Sequence, residues 1–194
     1  LVVGLTVWQW FEAAVNEGMM GLKMKLPILS QIPLPKYLFP LVQVFSATWK
    51  FAFVFIIVLL FAWICGFAPN IHYPALFLVL GAQLTLIIGI TLPAAVATAY
   101  FADTMRIVQS LFRLLFYLSG IFYASSQVPE NLKTLFYLNP MAGLIEGYRN
   151  IIMDNTLPNL ALVAYAFAFG LVLAVIGLIS CVYIDKRIMK SVPV

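Results

Sequence analysis

From Phe51 to Ala102 the chain contains no Asp, Glu, Lys or Arg, and from Asn155 to Ile184 it again contains none. A membrane-crossing helix needs about 20 mostly apolar residues, so both intervals are long enough to cross. Soluble domains run at about 45–50% apolar and about 25% charged residues. Here 64% of the residues are hydrophobic and 9% charged, which excludes a soluble class. Barrel strands alternate polar and apolar positions in short segments, and these runs do not alternate. An all-α integral membrane protein is the expected fold class. At 194 residues the chain has room for roughly five to seven spans and little else. Leu1 opens directly into apolar sequence with no charged leader, so no secretory signal is expected; without an initiator Met the chain reads as a fragment or a trimmed chain.

Five spans are expected: a short one over residues 1–15, then 38–67, 73–100, 107–125 and 158–183. Pro74 opens the third, as proline often opens a helix. Lys23, Lys25 and Lys36 load the loop 16–37, Arg106 and Arg113 follow the third span, and the tail 184–194 carries Lys186, Arg187 and Lys190. The connection from Gly66 to Tyr73 is uncharged. Positive charge therefore falls on alternate connections, which assigns those connections and the C-terminus to the cytoplasm. The net charge of +4 follows from this bias and calls for no nucleic-acid partner. Cys65 and Cys181 fall at opposite ends of their spans, beyond disulfide reach, and read as packing residues. No Cys/His spacing for a metal is present.

The outer segment 127–157 is half apolar, yet neither half is long enough to cross. Pro129-Glu130 opens a short helix through about Leu138. Asn139-Pro140 then reads as an N-cap followed by proline at the first helical position. In the next helix Leu144, Tyr148, Ile151 and Ile152 share one face, and Glu146, Arg149, Asn150 and Asp154 another. Two short apolar helices broken by Pro140 predict a re-entrant pair that dips into the outer leaflet, where protein or a water-filled cavity must cover the irregular backbone. A pair lying flat on the membrane surface is the alternative. Glu146 and Arg149, three residues apart, are expected to form a local ion pair.

Leu138-Asn139-Pro140-Met141 with Leu144-Ile145-Glu146-Gly147-Tyr148-Arg149 resembles a stretch of the ABC-transporter permeases that export bacterial polysaccharides, the O-antigen and teichoic-acid exporters and their capsule relatives. Gly4-Leu5-Thr6-Val7-Trp8-Gln9-Trp10-Phe11 is similar to an earlier span of that family. Lys36-Tyr37-Leu38-Phe39-Pro40 is similar to the end of its cytoplasmic loop, and Val128-Pro129-Glu130 to the approach to its re-entrant pair. Ala102 stands where the family usually has Arg. The resemblance covers essentially the whole chain and implies a further interface helix and first span upstream.

The resemblance implies a homodimer of six-span subunits with a channel between them and a separate ATP-binding subunit beneath each. ATP and Mg would sit on that subunit; no cofactor is expected on this chain, which has no G-x-x-x-x-G-K-[ST]. The expected substrate is a lipid-linked glycan moved out of the cytoplasm across the inner membrane of a bacterium or archaeon, with membrane lipid around the subunit. By resemblance the loop with Lys25, Pro27, Pro33 and Lys36 holds the coupling helix; a solvated basic loop is the alternative. Sugar rings stack on aromatic faces, and tyrosine adds a polar handle. Phe112, Phe116, Tyr117 and Tyr123 are therefore the candidate path, with Phe112, Phe116 and Tyr123 on one helical stripe; ordinary packing and lipid-facing residues are the alternative. Lys50 is expected to snorkel to the inner interface beside Trp49. A drug or lipid exporter of the same fold is a rival reading. An ion-driven transporter would want acidic residues at mid-membrane, and an enzyme a grouped set of acids or a metal site.

Overall fold

A computed structural model describes residues 1–29, 35–101, 103–123 and 125–189, with side chains given outside 23–29 and 184–189. All regular structure among the described residues is helical: α1 Val2–Leu29, α2 Leu38–Ile64, α3 Ala75–Tyr100, α4 Thr104–Leu118, α5 Glu130–Leu138, α6 Pro140–Ile152 and α7 Leu160–Met189. A single 3-10 turn, Ser125–Gln127, precedes α5. Helices α2 and α3, and Leu160–Tyr183 of α7, are long and apolar enough to cross a membrane.

Two boundaries correct the sequence reading. The helix expected over residues 1–15 does not stop there: α1 continues to Leu29 and converts the first half of the expected loop 16–37 into helix. Asn16, Gly18 and Gly21 are weak breakers, and packing overrides them: Ala14, Val15, Met19 and Leu22 are all buried. The helix expected over residues 107–125 stops at Leu118. Gly120 adopts φ +66°, a left-handed conformation that glycine tolerates and that ends a helix. A side chain at Gly120 would also meet the Phe136 ring, 2.8 Å from an ideal Cβ.

Close backbone approach holds the long helices together. An ideal Cβ on Gly89 of α3 would lie 2.1 Å from the Gly170 carbonyl of α7, and one on Gly177 would lie 2.7 Å from Cδ of Pro93. Inside a bilayer, helices gain little by hiding apolar surface from lipid, so such small-residue contacts carry much of the association. Helix α1 lies against both α2 and α3. Trp10 stacks on Phe51 with ring centroids 4.2 Å apart and donates its indole N–H to Thr48 Oγ1 at 3.2 Å. Lys50 does not simply reach for the interface; its ammonium pairs with Glu17 of α1 at 3.0 Å.

Several contacts gather the helix ends. Asn70, between α2 and α3, donates its side-chain amide to the Ile151 carbonyl at the end of α6, at 2.8 Å. Leu1, Cys65 and Met153 line one small cavity. The start of α1, the α2–α3 connection and the end of α6 therefore share one end of the bundle. Gly4 lies against Ile121, Ile145 and Arg149, which brings the chain beyond α4 to the same end. Cys65 is exposed there, contrary to the expected packing role, and Cys181 is buried.

Candidate functional site

Helix α6 is the most enclosed element at this end. Met141, Ala142, Gly143, Leu144, Ile145, Gly147, Tyr148, Ile151 and Ile152 are all buried, so the expected single apolar face is instead a helix packed almost all round. The glycines make this possible: ideal Cβ atoms on Gly143 and Gly147 would lie 2.9 Å from Leu162 and 3.3 Å from Pro158, so the chain entering α7 comes in close. Helix α5, by contrast, has no buried residue.

The start of α6 follows the sequence reading. Asn139 Oδ1 accepts from the Met141 amide at 3.1 Å, with Pro140 at the first turn. Its Nδ2 donates to Ser119 Oγ at 2.7 Å, so one side chain caps α6 and ties it to the end of α4.

Glu146 and Arg149 depart from it. The two do not pair with each other among the described residues. The Glu146 carboxylate accepts from Ser125 and from the Tyr137 phenol, each at 2.8 Å. Arg149 donates to the backbone carbonyls of Tyr123, at 2.9 Å, and Ile121. The physical reason is the break after α4, where the Ile121 and Tyr123 carbonyls stand outside any helix and must be satisfied when buried. Arg149 satisfies these two, which leaves Glu146 to the Ser125 and Tyr137 hydroxyls. Burial lowers the Arg149 pKa while Glu146 and Asp154 oppose the shift. Burial raises the Tyr137 pKa, with the hydrogen bond to Glu146 acting in the same direction, so the phenol remains a donor at neutral pH.

One buried constellation was not read from the sequence. Tyr148 donates to Gln83 Oε1 at 2.8 Å, and Gln83 Nε2 donates to the Val7 carbonyl at 2.9 Å. Both side chains are 0% exposed. This ties α6 to α3 and α1. The signal was present: Gln83 is an amide-bearing residue inside a charge-free run, where a polar group needs a partner.

The candidate path residues separate. Phe112 is buried against Trp8 and Phe11, with centroids 6.4 and 5.0 Å away, and Phe116 packs on Trp8 at 5.7 Å. Tyr117 is 66% exposed. Tyr123 lies beyond the break at Gly120, so the expected stripe with Phe112 and Phe116 does not exist; its hydroxyl donates to the Tyr117 carbonyl at 3.2 Å. On α1, Gln9 is exposed and Glu12 and Asn16 are half-buried, a polar stripe at spacings of three and four that the sequence reading passed over. Asn16 Oδ1 is buried without a hydrogen-bond partner.

Of the expected coupling residues, Lys36 is 7% exposed in the turn before α2, which does not fit a solvated loop. The side chains of Lys25 and Pro27, which fall on α1, lie outside the described residues. So do Pro33, Ala102 and Lys190.

Residues 28–153, more than half of the chain, match the model of the family described as ABC-2 type transporter. The chain belongs to the ABC-2 type transporter family. Two Klebsiella pneumoniae proteins named O-antigen export system permease protein RfbA are 26% and 25% identical to it over 179 residues, 92% of this chain and 69% of each relative. A Myxococcus xanthus protein of the same name is 27% identical over 161 residues, 82% of this chain and 62% of that protein. As an ABC-2 permease with three long apolar helices, the chain is a multi-pass membrane transport subunit and not catalytic by itself. The motif Asn139–Arg149, on which the resemblance rested, falls inside the matched region and is the helix that the fold encloses.

Proposed function

We propose that this chain is the membrane subunit of an ATP-driven exporter that moves a lipid-linked polysaccharide of O-antigen type out of the cytoplasm. It works in the inner membrane of a bacterium or archaeon, as one of two copies, with a separate ATP-binding subunit that holds ATP and Mg. The observation that carries the reading is α6, whose motif side chains tie it to the rest of the bundle: Asn139 to Ser119, Glu146 to Ser125 and Tyr137, Tyr148 to Gln83, and Arg149 to the Ile121 and Tyr123 carbonyls. The names of the relatives support the substrate.

In this reading α1 and α4 cross with α2, α3 and α7, and α5 and α6 form the re-entrant pair on the outer face. Basic connections and the C-terminus are cytoplasmic, and the segment with Lys25, Pro27, Pro33 and Lys36 meets the ATP-binding subunit. Tyr117 and Tyr123 contribute to the path, while Phe112 and Phe116 build the wall behind it. Gln9 of α1 is exposed and Glu12 and Asn16 are half-buried, and polar side chains in a membrane helix belong against protein or a water-filled cavity. We place them along the path or against the second copy.

The test is purification of the tagged full-length parent in mild detergent, then complementation of a deletion strain. Expected are an equimolar partner bearing a P-loop and restored surface polysaccharide. A homo-oligomer without a nucleotide-binding partner overturns the reading, and an ATPase partner with unchanged surface glycan overturns the substrate.

A further inference from the structure

Two cavities adjoin at the end of the bundle that carries α5 and α6. The first, about 470 Å³, is almost wholly apolar; Leu115 and Leu118 of α4, Leu132 and Leu135 of α5, and Met141 and Phe169 contribute to it. The second, about 300 Å³, is polar and includes Ser126, Glu146, Arg149, Asn150 and Asp154. Tyr123 and Phe136 line both. Their rings stand 6.0 Å apart, over the space that Gly120 leaves open.

We propose that the joined cavities are a binding site for one phospholipid with a primary-amine headgroup. An apolar cavity of this size holds water poorly, and the neighbouring bilayer supplies acyl chains to fill it. The polar cavity selects the headgroup. Its ionised side chains are the Glu146 and Asp154 carboxylates against the single Arg149 guanidinium, an acidic surplus that favours a cation. Glu146 is already engaged by Ser125 and Tyr137, whereas the Asp154 carboxylate is exposed and makes no side-chain bond among the described residues. Asp154 therefore receives the ammonium group. Arg149 spends two N–H groups on carbonyls and, with five N–H in all, keeps donors for the lipid phosphate. An anionic headgroup without the amine would keep the Arg149 contact but add net negative charge to a lining that already sets two carboxylates against one guanidinium.

The site rests on the membrane placement proposed above but not on the exported substrate, so its test avoids transport. The full-length subunit with its ATP-binding partner is reconstituted in vesicles of equal phosphatidylethanolamine and phosphatidylglycerol, re-extracted, and its retained lipid read by native mass spectrometry. The wild type is expected to retain the amine lipid over phosphatidylglycerol by about threefold or more, the scale of one partly exposed charge pair. Asp154→Asn is expected to bring that ratio to near one while lipid is still retained. Leu132→Trp, which fills the apolar cavity, is expected to remove the retained lipid. Equal retention of both lipids by the wild type, or an unchanged preference in Asp154→Asn, overturns the proposal. The wild-type comparison decides even if a variant fails to assemble.

Discussion

Tyr148 and Gln83 show how a single polar pair behaves when water is absent. A buried acceptor left without its donor costs about 1–3 kcal/mol, whereas replacing both partners with apolar groups is close to neutral. Tyr148→Phe is therefore expected to destabilise the detergent-solubilised protein by about 1–3 kcal/mol, and the double variant with Gln83→Leu to recover most of the loss. Thermal unfolding of both variants checks this, and additive losses would mean that the phenol and amide do not depend on each other. Asn139 works differently, because it caps a helix and holds Ser119 at once. Asn139→Ala should cost about 1 kcal/mol for the cap and about 1 kcal/mol more for the second bond. The cap was legible, since asparagine before proline states its role locally. The partners of Glu146 and Arg149 were not. Helical spacing put them side by side as an ion pair, and only the fold shows that the Ile121 and Tyr123 carbonyls take Arg149 while the Ser125 and Tyr137 hydroxyls take Glu146.

Among the helices, α3 and α7 depend most on what side chains leave out. Gly89 and Gly170 face each other so closely that any Cβ on Gly89 would strike the Gly170 carbonyl. Gly89→Val is expected to push the pair apart and cost at least about 1–3 kcal/mol, as overpacking a close contact does. Gly81→Ala serves as the comparison, because nothing lies within 4 Å of its Cβ position and alanine adds about 0.5–1 kcal/mol of helix preference. Gly89→Val assembling as well as Gly81→Ala would remove the close approach from the account. The existence of α2, α3 and α7 was legible from charge-free runs, and Pro74 marked the start of α3. Boundaries set by packing were less so. The lysines at 23 and 25 drew a loop that the buried series Ala14, Val15, Met19 and Leu22 overrides with helix. At α4 the apolar sequence runs on past the point where Gly120 turns the chain.

For the whole molecule, the question is whether α4 crosses. Its 15 residues rise only about 22 Å at 1.5 Å each, less than the roughly 30 Å of hydrocarbon. Yet it runs from beside the end of α3 toward the end of the bundle where α1 starts. Phe112 sits beside Trp8 and Phe11, Ile121 beside Gly4, and Thr104 follows directly on the end of α3, whose start shares an end with Asn70 and Ile151. In the proposed topology the residues after Leu118 supply the missing length, held by the hydrogen bonds that Asn139 gives Ser119 and Arg149 gives Ile121 and Tyr123. A short helix with a protein-covered extension can then complete a crossing that its own length does not allow. In a full-length background with both cysteines replaced, Ser126→Cys is expected to react in intact cells with a membrane-impermeant maleimide. Asp103→Cys is expected to react only after lysis. Both positions are exposed, so unequal access would have to come from the membrane. Equal labelling from outside would return α4 to the surface, place the tail on the other side, and leave the basic connections without the asymmetry that orients them.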